Sequence, residues 1–152
     1  MEADWKVDDV FFILQVFCTF TLTGIIWFIQ IVHYPLMRKV GKNRFLRYEQ
    51  THTILTGFIV APLMLVEAAA VIFGVLYSTR WITDDSSELG GVLLLIIWMS
   101  TFFLQMPQHR KLSRAFDVRA YRRLLWTNWI RTYAWSFRSV ILVFNMLRAF
   151  TS

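Results

Sequence analysis

The stretch from Trp126 to Phe150, WTNWIRTYAWSFRSVILVFNMLRAF, is long and apolar enough to cross a bilayer as a single helix. Side chains that form hydrogen bonds nevertheless recur along it, at Asn128, Arg131, Trp135, Arg138 and Asn145. Successive members lie three, four, three and seven residues apart, so they form one stripe on an α-helix. Arg138 lies near the middle, where a charge facing lipid costs about 3 kcal/mol on insertion scales. We therefore expect the stripe to face other helices.

The composition of the chain is typical of a membrane protein. Of its 152 residues, 57% are hydrophobic and 17% are aromatic, which exceeds what one soluble core of this size needs. Three further hydrophobic stretches, 10–34, 52–77 and 89–107, are each long enough to cover the hydrocarbon layer. Together with 126–150 they predict an all-α fold. We expect a single domain over residues 1–152, an antiparallel up-and-down bundle of four transmembrane helices.

The net charge of +6 is distributed unevenly between the loops. Basic residues concentrate between the first two spans and between the last two: Arg38, Lys39, Lys42, Arg44 and Arg47, then Arg110, Lys111, Arg114, Arg119, Arg122 and Arg123. The opposite side is mainly acidic, with Glu2, Asp4, Asp8, Asp9, Asp84, Asp85 and Glu88. Under the positive-inside rule, both basic loops are cytoplasmic and both termini lie outside, in an inner or plasma membrane. The pattern predicts contact with anionic membrane lipid and argues against a nucleic-acid partner.

Three histidines, the only ones in the chain, fall at the predicted cytoplasmic ends of different spans. His33 ends the first span, His52 begins the second, and His109 follows the third. Glu49 precedes His52 by three residues, a spacing that directs both side chains to one side of a helix and that recurs in di-iron bundles. Because alternating spans bring these positions to one depth, we expect the three histidines and Glu49 to meet.

Two kinds of site fit such a cluster. Three imidazoles and a carboxylate suit a transition metal (iron, copper or zinc) and would leave one position open for a substrate. A haem held by two of the histidines fits the sequence less well, because a 152-residue bundle must still make room for it. Alternatively, the imidazoles form a hydrogen-bonded network with neighbouring side chains. Asn128 and Arg131, at the start of the last span, are the predicted catalytic residues, because they could orient an anionic or phenolic oxygen.

A second polar layer is predicted deeper in the membrane. Glu67 is the one formal charge of the second span, and both Glu67 and Arg138 fall near mid-membrane. Two charges that are costly against lipid are best accommodated as a buried pair. We interpret this pair as a structural element that sets helix rotation, with a proton or substrate path as the alternative.

Two short motifs resemble those of a known family. Residues 105–112 read QMPQHRKL, residues 127–132 read TNWIRT, and HYP stands at 33–35. This layout resembles the small four-helix membrane proteins of the anthrone-oxygenase-like family, most of which have no assigned activity. The resemblance points to Pro107, His109, Leu112, Asn128, Arg131 and Thr132. The family commonly has Asn where this chain has His109, and its name implies oxygenation of a polycyclic phenolic substrate in a few members.

These observations predict a small integral membrane oxidoreductase, oxygenase-like, that acts on a lipophilic aromatic or quinone-like substrate at the cytoplasmic end of the bundle. A second function stays open. With seven tryptophans and fourteen phenylalanines, the chain is also suited to be a non-enzymatic subunit or assembly factor of a larger membrane complex, or to form a homo-oligomer. Metal analysis and a visible spectrum of the purified protein would distinguish these functions.

Overall fold

The computed structural model describes residues 6–77 and 79–151; Glu2, Asp4 and the side chain of Lys42, counted above for their charge, lie outside this part. Within it the chain is helical and contains no strand. The elements in order are α1 (Val7–Phe28), a π-helical segment (Ile29–His33), α2 (Tyr34–Met37), α3 (Lys42–Leu76), α4 (Asp84–Ser100), a second π-helical segment (Thr101–Gln105), α5 (Met106–Leu112) and α6 (Val118–Thr151). The prediction of an all-α fold is therefore confirmed.

Three continuous helical stretches of the described chain are long and apolar enough to cross a membrane: Val7–Met37, Asn43–Leu76 and Asp84–Leu112. They indicate an integral membrane protein. The long helix α6 is not among them, since its arginines and asparagines lower its hydropathy. The five residues of the α6 stripe, from Asn128 to Asn145, are all buried, so the expected inward orientation of that stripe is confirmed.

The helices extend beyond the predicted spans, most clearly in α3, which begins at Lys42 and not at residue 52. Gly41 before it is extended and ends the preceding turn. The added turns are amphipathic, because the Phe45 side chain is 2% exposed while Arg44 and Arg47 are exposed. Burial of Phe45 in the apolar cluster at this end of the bundle stabilises these turns. The first basic loop is therefore mostly helical.

Both π-helical segments end two residues before a proline, Pro35 or Pro107. Proline has no N–H and cannot make the usual bond to the carbonyl four residues back. At Pro35 and at Pro107, the N–H of the preceding residue donates instead to the carbonyl five residues before it. The helices continue through both prolines, and the wider turns rotate the residues that follow relative to an uninterrupted α-helix. Such turns often lie at functional sites.

Polar contacts between helices lie in three layers along the bundle. At the end carrying Asp8, Asp84 and Asp85, the acidic end, Asp9 accepts hydrogen bonds from Arg80 and from the Trp81 indole. Glu67 and Arg138 form the middle layer. The histidines lie at the opposite end, called the basic end because it carries both basic loops. Apolar clusters fill the space at each level of the bundle.

Candidate functional site

The structure brings the three histidines together at the basic end of the bundle. The rings of His33 and His52 stack, with centroids 4.0 Å apart and an interplanar angle of 26°. The ring centroid of His109 lies 5.9 Å from that of His52. Three separate helical stretches supply them: the first π-helical segment, α3 and α5. Glu49, completely buried, joins the cluster through its contact with His109.

Glu49, His109 and Tyr34 form a chain of hydrogen bonds. Nδ1 of His109 lies 2.6 Å from Oε1 of Glu49, and Nε2 of His109 lies 3.2 Å from the Tyr34 hydroxyl. Because a carboxylate only accepts, we assign the proton to Nδ1, so that Nε2 accepts from Tyr34. Tyr34 is buried, and its carbonyl accepts a 3.1 Å hydrogen bond from the Tyr121 hydroxyl. A carboxylate thus sets the tautomer of His109, as it does for many histidines that act as general bases.

The other two histidines form hydrogen bonds with hydroxyl groups. Nδ1 of His52 lies 3.0 Å from the Thr56 hydroxyl, one turn further along α3. The Tyr48 hydroxyl lies 3.4 Å from Nε2 of His33. Each of the three imidazoles therefore has a partner within the protein.

This arrangement does not suit the predicted metal site. Imidazole lone pairs lie in the ring plane, so the stacked rings of His33 and His52 direct them past each other, and both nitrogens of His109 have hydrogen-bond partners. Among residues 6–77 and 79–151, no three His, Cys, Asp or Glu side chains are placed to hold a metal ion. The proposed ligands instead form three separate sets of hydrogen bonds, Glu49 with His109, His52 with Thr56 and His33 with Tyr48. Oε2 of Glu49 has no protein partner among the described residues, so it could accept from a bound water.

Asn128 and Arg131 form a second polar group at the same level. The Asn128 amide donates to Oε1 of Gln30 at 2.7 Å, and its oxygen accepts from Nε of Arg131 at 3.1 Å. Nη1 of Arg131 also donates to the Thr101 hydroxyl at 3.4 Å. Within the described part of the chain, Arg131 forms no ion pair with a carboxylate, although its side chain is only 8% exposed. Arg131 is thus a buried guanidinium that is not paired with a carboxylate of residues 6–77 or 79–151.

A cavity of about 550 Å³ lies beside these residues. Its polar lining includes Tyr34, His52, Thr56, Thr101, His109 and Arg131. The other walls are mainly apolar, with Leu22, Ile25, Ile26, Ile29, Val60, Ala61, Met64 and Trp135. Of the site residues predicted at this end, His52, His109 and Arg131 line the cavity, whereas His33, Glu49 and Asn128 do not. These three instead contact residues that line it: Glu49 bonds to His109, Asn128 bonds to Arg131, and His33 stacks on His52.

Glu67 and Arg138 are in contact in the layer below, as a buried pair. Oε1 of Glu67 accepts from Nε of Arg138 at 3.1 Å and from the Thr19 hydroxyl at 2.6 Å. Oε2 accepts from the Trp135 indole at 3.1 Å, and Arg138 also donates to the Gly90 carbonyl. Since Trp135 is also a wall of the cavity, this pair positions part of the cavity without lining it.

The sequence pattern does not assign Tyr34 to the site, because this residue occurs only within the HYP motif, yet its hydroxyl reaches His109. The spacing does place Thr101 on one polar side of the third span with Gln105, Gln108 and His109. It does not predict the π-helical segment to which Thr101 belongs. The prolines of the HYP and QMP motifs are the signal that could have been used, because a proline inside a helix cannot make the usual hydrogen bond and the turn before it can widen.

Comparison of the chain with protein-family models, with curated proteins and with solved structures gave no match. The resemblance to anthrone-oxygenase-like proteins therefore stays a prediction from the short motifs quoted above.

Proposed function

We propose that the protein is an integral membrane oxidoreductase that binds a lipophilic aromatic or quinone-like molecule in the cavity beside His109. The observation that carries the proposal is Arg131, a buried cation that faces this cavity and has no carboxylate partner among the described residues. Burying an uncompensated charge is costly. A phenolate or quinone oxygen next to Arg131 would offset that cost.

The shape and chemistry of the cavity support a ligand of this class. Its volume of about 550 Å³ falls within the usual range for small-molecule sites. Aliphatic residues and Trp135 form most of the walls, which suits a flat ring system. The Tyr34 hydroxyl lies 3.2 Å from His109 and Nη1 of Arg131 lies 3.4 Å from the Thr101 hydroxyl, so each pair of lining residues would bind an oxygen at an edge of the ring.

The residues at the polar end are suited to proton transfer at that oxygen. Nε2 of His109 can take a proton from a phenolic ligand through the Tyr34 hydroxyl, which passes its own proton to Nε2 and receives the ligand's. Glu49 would stabilise the resulting imidazolium, and Arg131 the phenolate. Loss of the proton makes the ring easier to oxidise. Its electrons then pass to a separate acceptor, which is dioxygen if the reaction is oxygenase-like, as the family resemblance implies.

Gly57 provides a direct test of the cavity. It lines the cavity, and a Cβ added there meets nothing within 4 Å; Gly24 on α1 has the same open surroundings but does not line the cavity. Gly57→Leu should therefore obstruct the cavity, while Gly24→Leu controls for the added bulk. In nanodiscs, binding of a short-chain quinone or of an anthrone is measured by quenching of tryptophan fluorescence. We expect Gly57→Leu to weaken binding roughly tenfold or more and Gly24→Leu to leave it unchanged; equal binding by both variants contradicts the proposal.

We also propose how the chain lies in the membrane. In this arrangement α6 is a fourth span, the bundle is antiparallel, the basic end faces the cytoplasm and both termini lie on the other side of an inner or plasma membrane. The basic bias of the two loops and the buried stripe of α6 support it. A reporter fused after Ser152 tests it, since activity of a cytoplasm-specific reporter at that position would overturn the topology.

One observation favours the alternative, a non-enzymatic subunit of a larger complex. α6 exposes aromatic side chains along its outer face, at Trp126, Phe137, Phe144 and Phe150. Aromatic side chains are enriched at protein interfaces, so this face would gain from a protein neighbour. Loss of a defined complex on replacing Phe137 and Phe144 with Leu, in a protein that binds no aromatic ligand, would support the subunit over the enzyme.

A further inference from the structure

A second cavity, of about 520 Å³, lies at the basic end between the turn after α2 and the first turns of α6. Two arginines line it, Arg38 and Arg122, and its other walls include Phe45, Phe116, Leu125 and Trp126. It shares no lining residue with the cavity beside His109. It is therefore a separate site, and its occupant does not depend on the proposed function.

The inner wall of this cavity is well packed. Phe45 and Phe116 meet edge to face, with ring centroids 4.7 Å apart. Tyr121, also a lining residue, is buried, and its hydroxyl is held by the Tyr34 carbonyl at 3.1 Å. These contacts do not need an occupant, so the cavity is preformed.

The charged residues that line the cavity are all positive. No Asp or Glu lines it, and within the described part of the chain neither Arg38 nor Arg122 forms an ion pair. Asp117, the acidic residue next to this wall in sequence, instead caps α6. The backbone N–H groups of Ala120 and Arg119 donate to its carboxylate at 2.9 and 2.7 Å, and they hold the pKa of Asp117 below its usual value.

An apolar path leads out of the cavity along α6. Trp126 lies one turn beyond Arg122 on the same side of the helix, and its side chain is 74% exposed. Leu125 lies beside it. The two guanidinium groups are thus next to an aromatic and aliphatic surface, at the level where a basic loop meets the membrane. This combination matches an amphiphile with an anionic head, and a soluble anion would leave the apolar surface unused.

We propose that an anionic phospholipid binds in this cavity, with its phosphate between Arg38 and Arg122 and an acyl chain along Leu125 and Trp126. The two arginines would bind the phosphate by charge-assisted hydrogen bonds. A zwitterionic lipid carries a cationic group in its head, so it should bind less well.

Native mass spectrometry of the full-length protein tests the site, after equilibration with equal amounts of phosphatidylglycerol and phosphatidylcholine in detergent. The variants are Arg38→Gln/Arg122→Gln and, as a control, Arg44→Gln/Arg47→Gln, which removes two exposed charges of the same sign from outside the cavity. We expect the wild type and the control to retain phosphatidylglycerol about tenfold or more over phosphatidylcholine, and the cavity variant to retain both nearly equally. Because all four arginines are exposed, both variants should keep the wild-type melting temperature.

Three outcomes would overturn the proposal. The cavity variant could keep the full preference for phosphatidylglycerol, which would place the lipid elsewhere. The control could lose the preference to the same extent, which would show either diffuse attraction to the basic surface or binding in the other cavity that Arg44 and Arg47 line. Inorganic phosphate could displace the bound lipid as effectively as added phosphatidylglycerol does, which would identify the site as one for a soluble anion.

Discussion

Nε of Arg138 donates to Oε1 of Glu67 over 3.1 Å, and the two side chains are 1% and 0% exposed. The same carboxylate accepts from Thr19 and from the Trp135 indole, so it connects α1, α3 and α6. Every contact made by its oxygens is with a donor, as a carboxylate requires. This pair satisfies two charges that would each be costly alone in a membrane interior.

Removing either partner of this pair should destabilise the protein more than removing both. Glu67→Gln or Arg138→Met leaves one buried charge without its partner, at a cost of about 3–5 kcal/mol. The double variant leaves neither charge, so its loss should be smaller than either single loss, and therefore smaller than their sum. Melting temperatures of the four proteins in one detergent measure the coupling. Strictly additive losses would mean that the pair contributes nothing beyond its separate contacts.

Arg131 is also a buried arginine of α6, but its replacement should affect ligand binding more than stability. It has no carboxylate partner among the described residues, so Arg131→Met removes a desolvation cost and strands no acid. We expect Arg131→Met to lower the melting temperature much less than Arg138→Met, while binding of a phenolic ligand falls about tenfold or more. A large loss of stability with unchanged binding would show that Arg131 is structural.

His109 should matter for turnover more than for folding. His109→Asn keeps a polar side chain on α5 but removes the base that faces Tyr34, which should lower the oxidation rate of a phenolic substrate about 10²–10⁴-fold. His33→Asn is the matched control, because His33 belongs to the same cluster but does not line the cavity. Steady-state rates in nanodiscs, with melting curves beside them, make the comparison. Equal loss of rate in both variants would argue against His109 as the base.

Metal content should be well below one equivalent per chain. The stacked rings of His33 and His52 and the two hydrogen bonds of His109 leave no convergent set of lone pairs among the described residues. Elemental analysis for iron, copper and zinc on protein purified without chelators measures it. One equivalent of metal that disappears in His109→Asn would instead establish the metal centre predicted from the sequence.

Much of the fold follows from local chemistry that the sequence carries directly. The apolar lengths of the first three spans predict membrane helices, and the spacing of the α6 stripe predicts which of its faces is buried. Those properties depend on helix period and on the cost of polar groups in lipid, which hold whatever the neighbouring helices do. The stripe also predicted Arg138 as an inward charge, and Glu67 followed as its only candidate partner in the second span.

The helix boundaries predicted from the sequence were less accurate, and the reason can be identified. A span predicted from hydropathy ends where charges begin, but α3 starts at Lys42 because Phe45 has a packed apolar cluster to enter. Membrane length sets the minimum extent of such a helix, and contacts outside the membrane decide how far it continues.

The sequence alone determined which residues meet at the basic end: three histidines, Glu49, Asn128 and Arg131. Only the tertiary structure decided what they form. The imidazoles could converge on a metal, or they could stack and bond to hydroxyl groups. Rotations of the rings by a few tens of degrees decide between the two. Those orientations follow from the two π-helical turns and from the packing of Tyr34 and Thr56. Periodicity places a residue on a face of its helix, but the partner on the next helix determines where its lone pairs point.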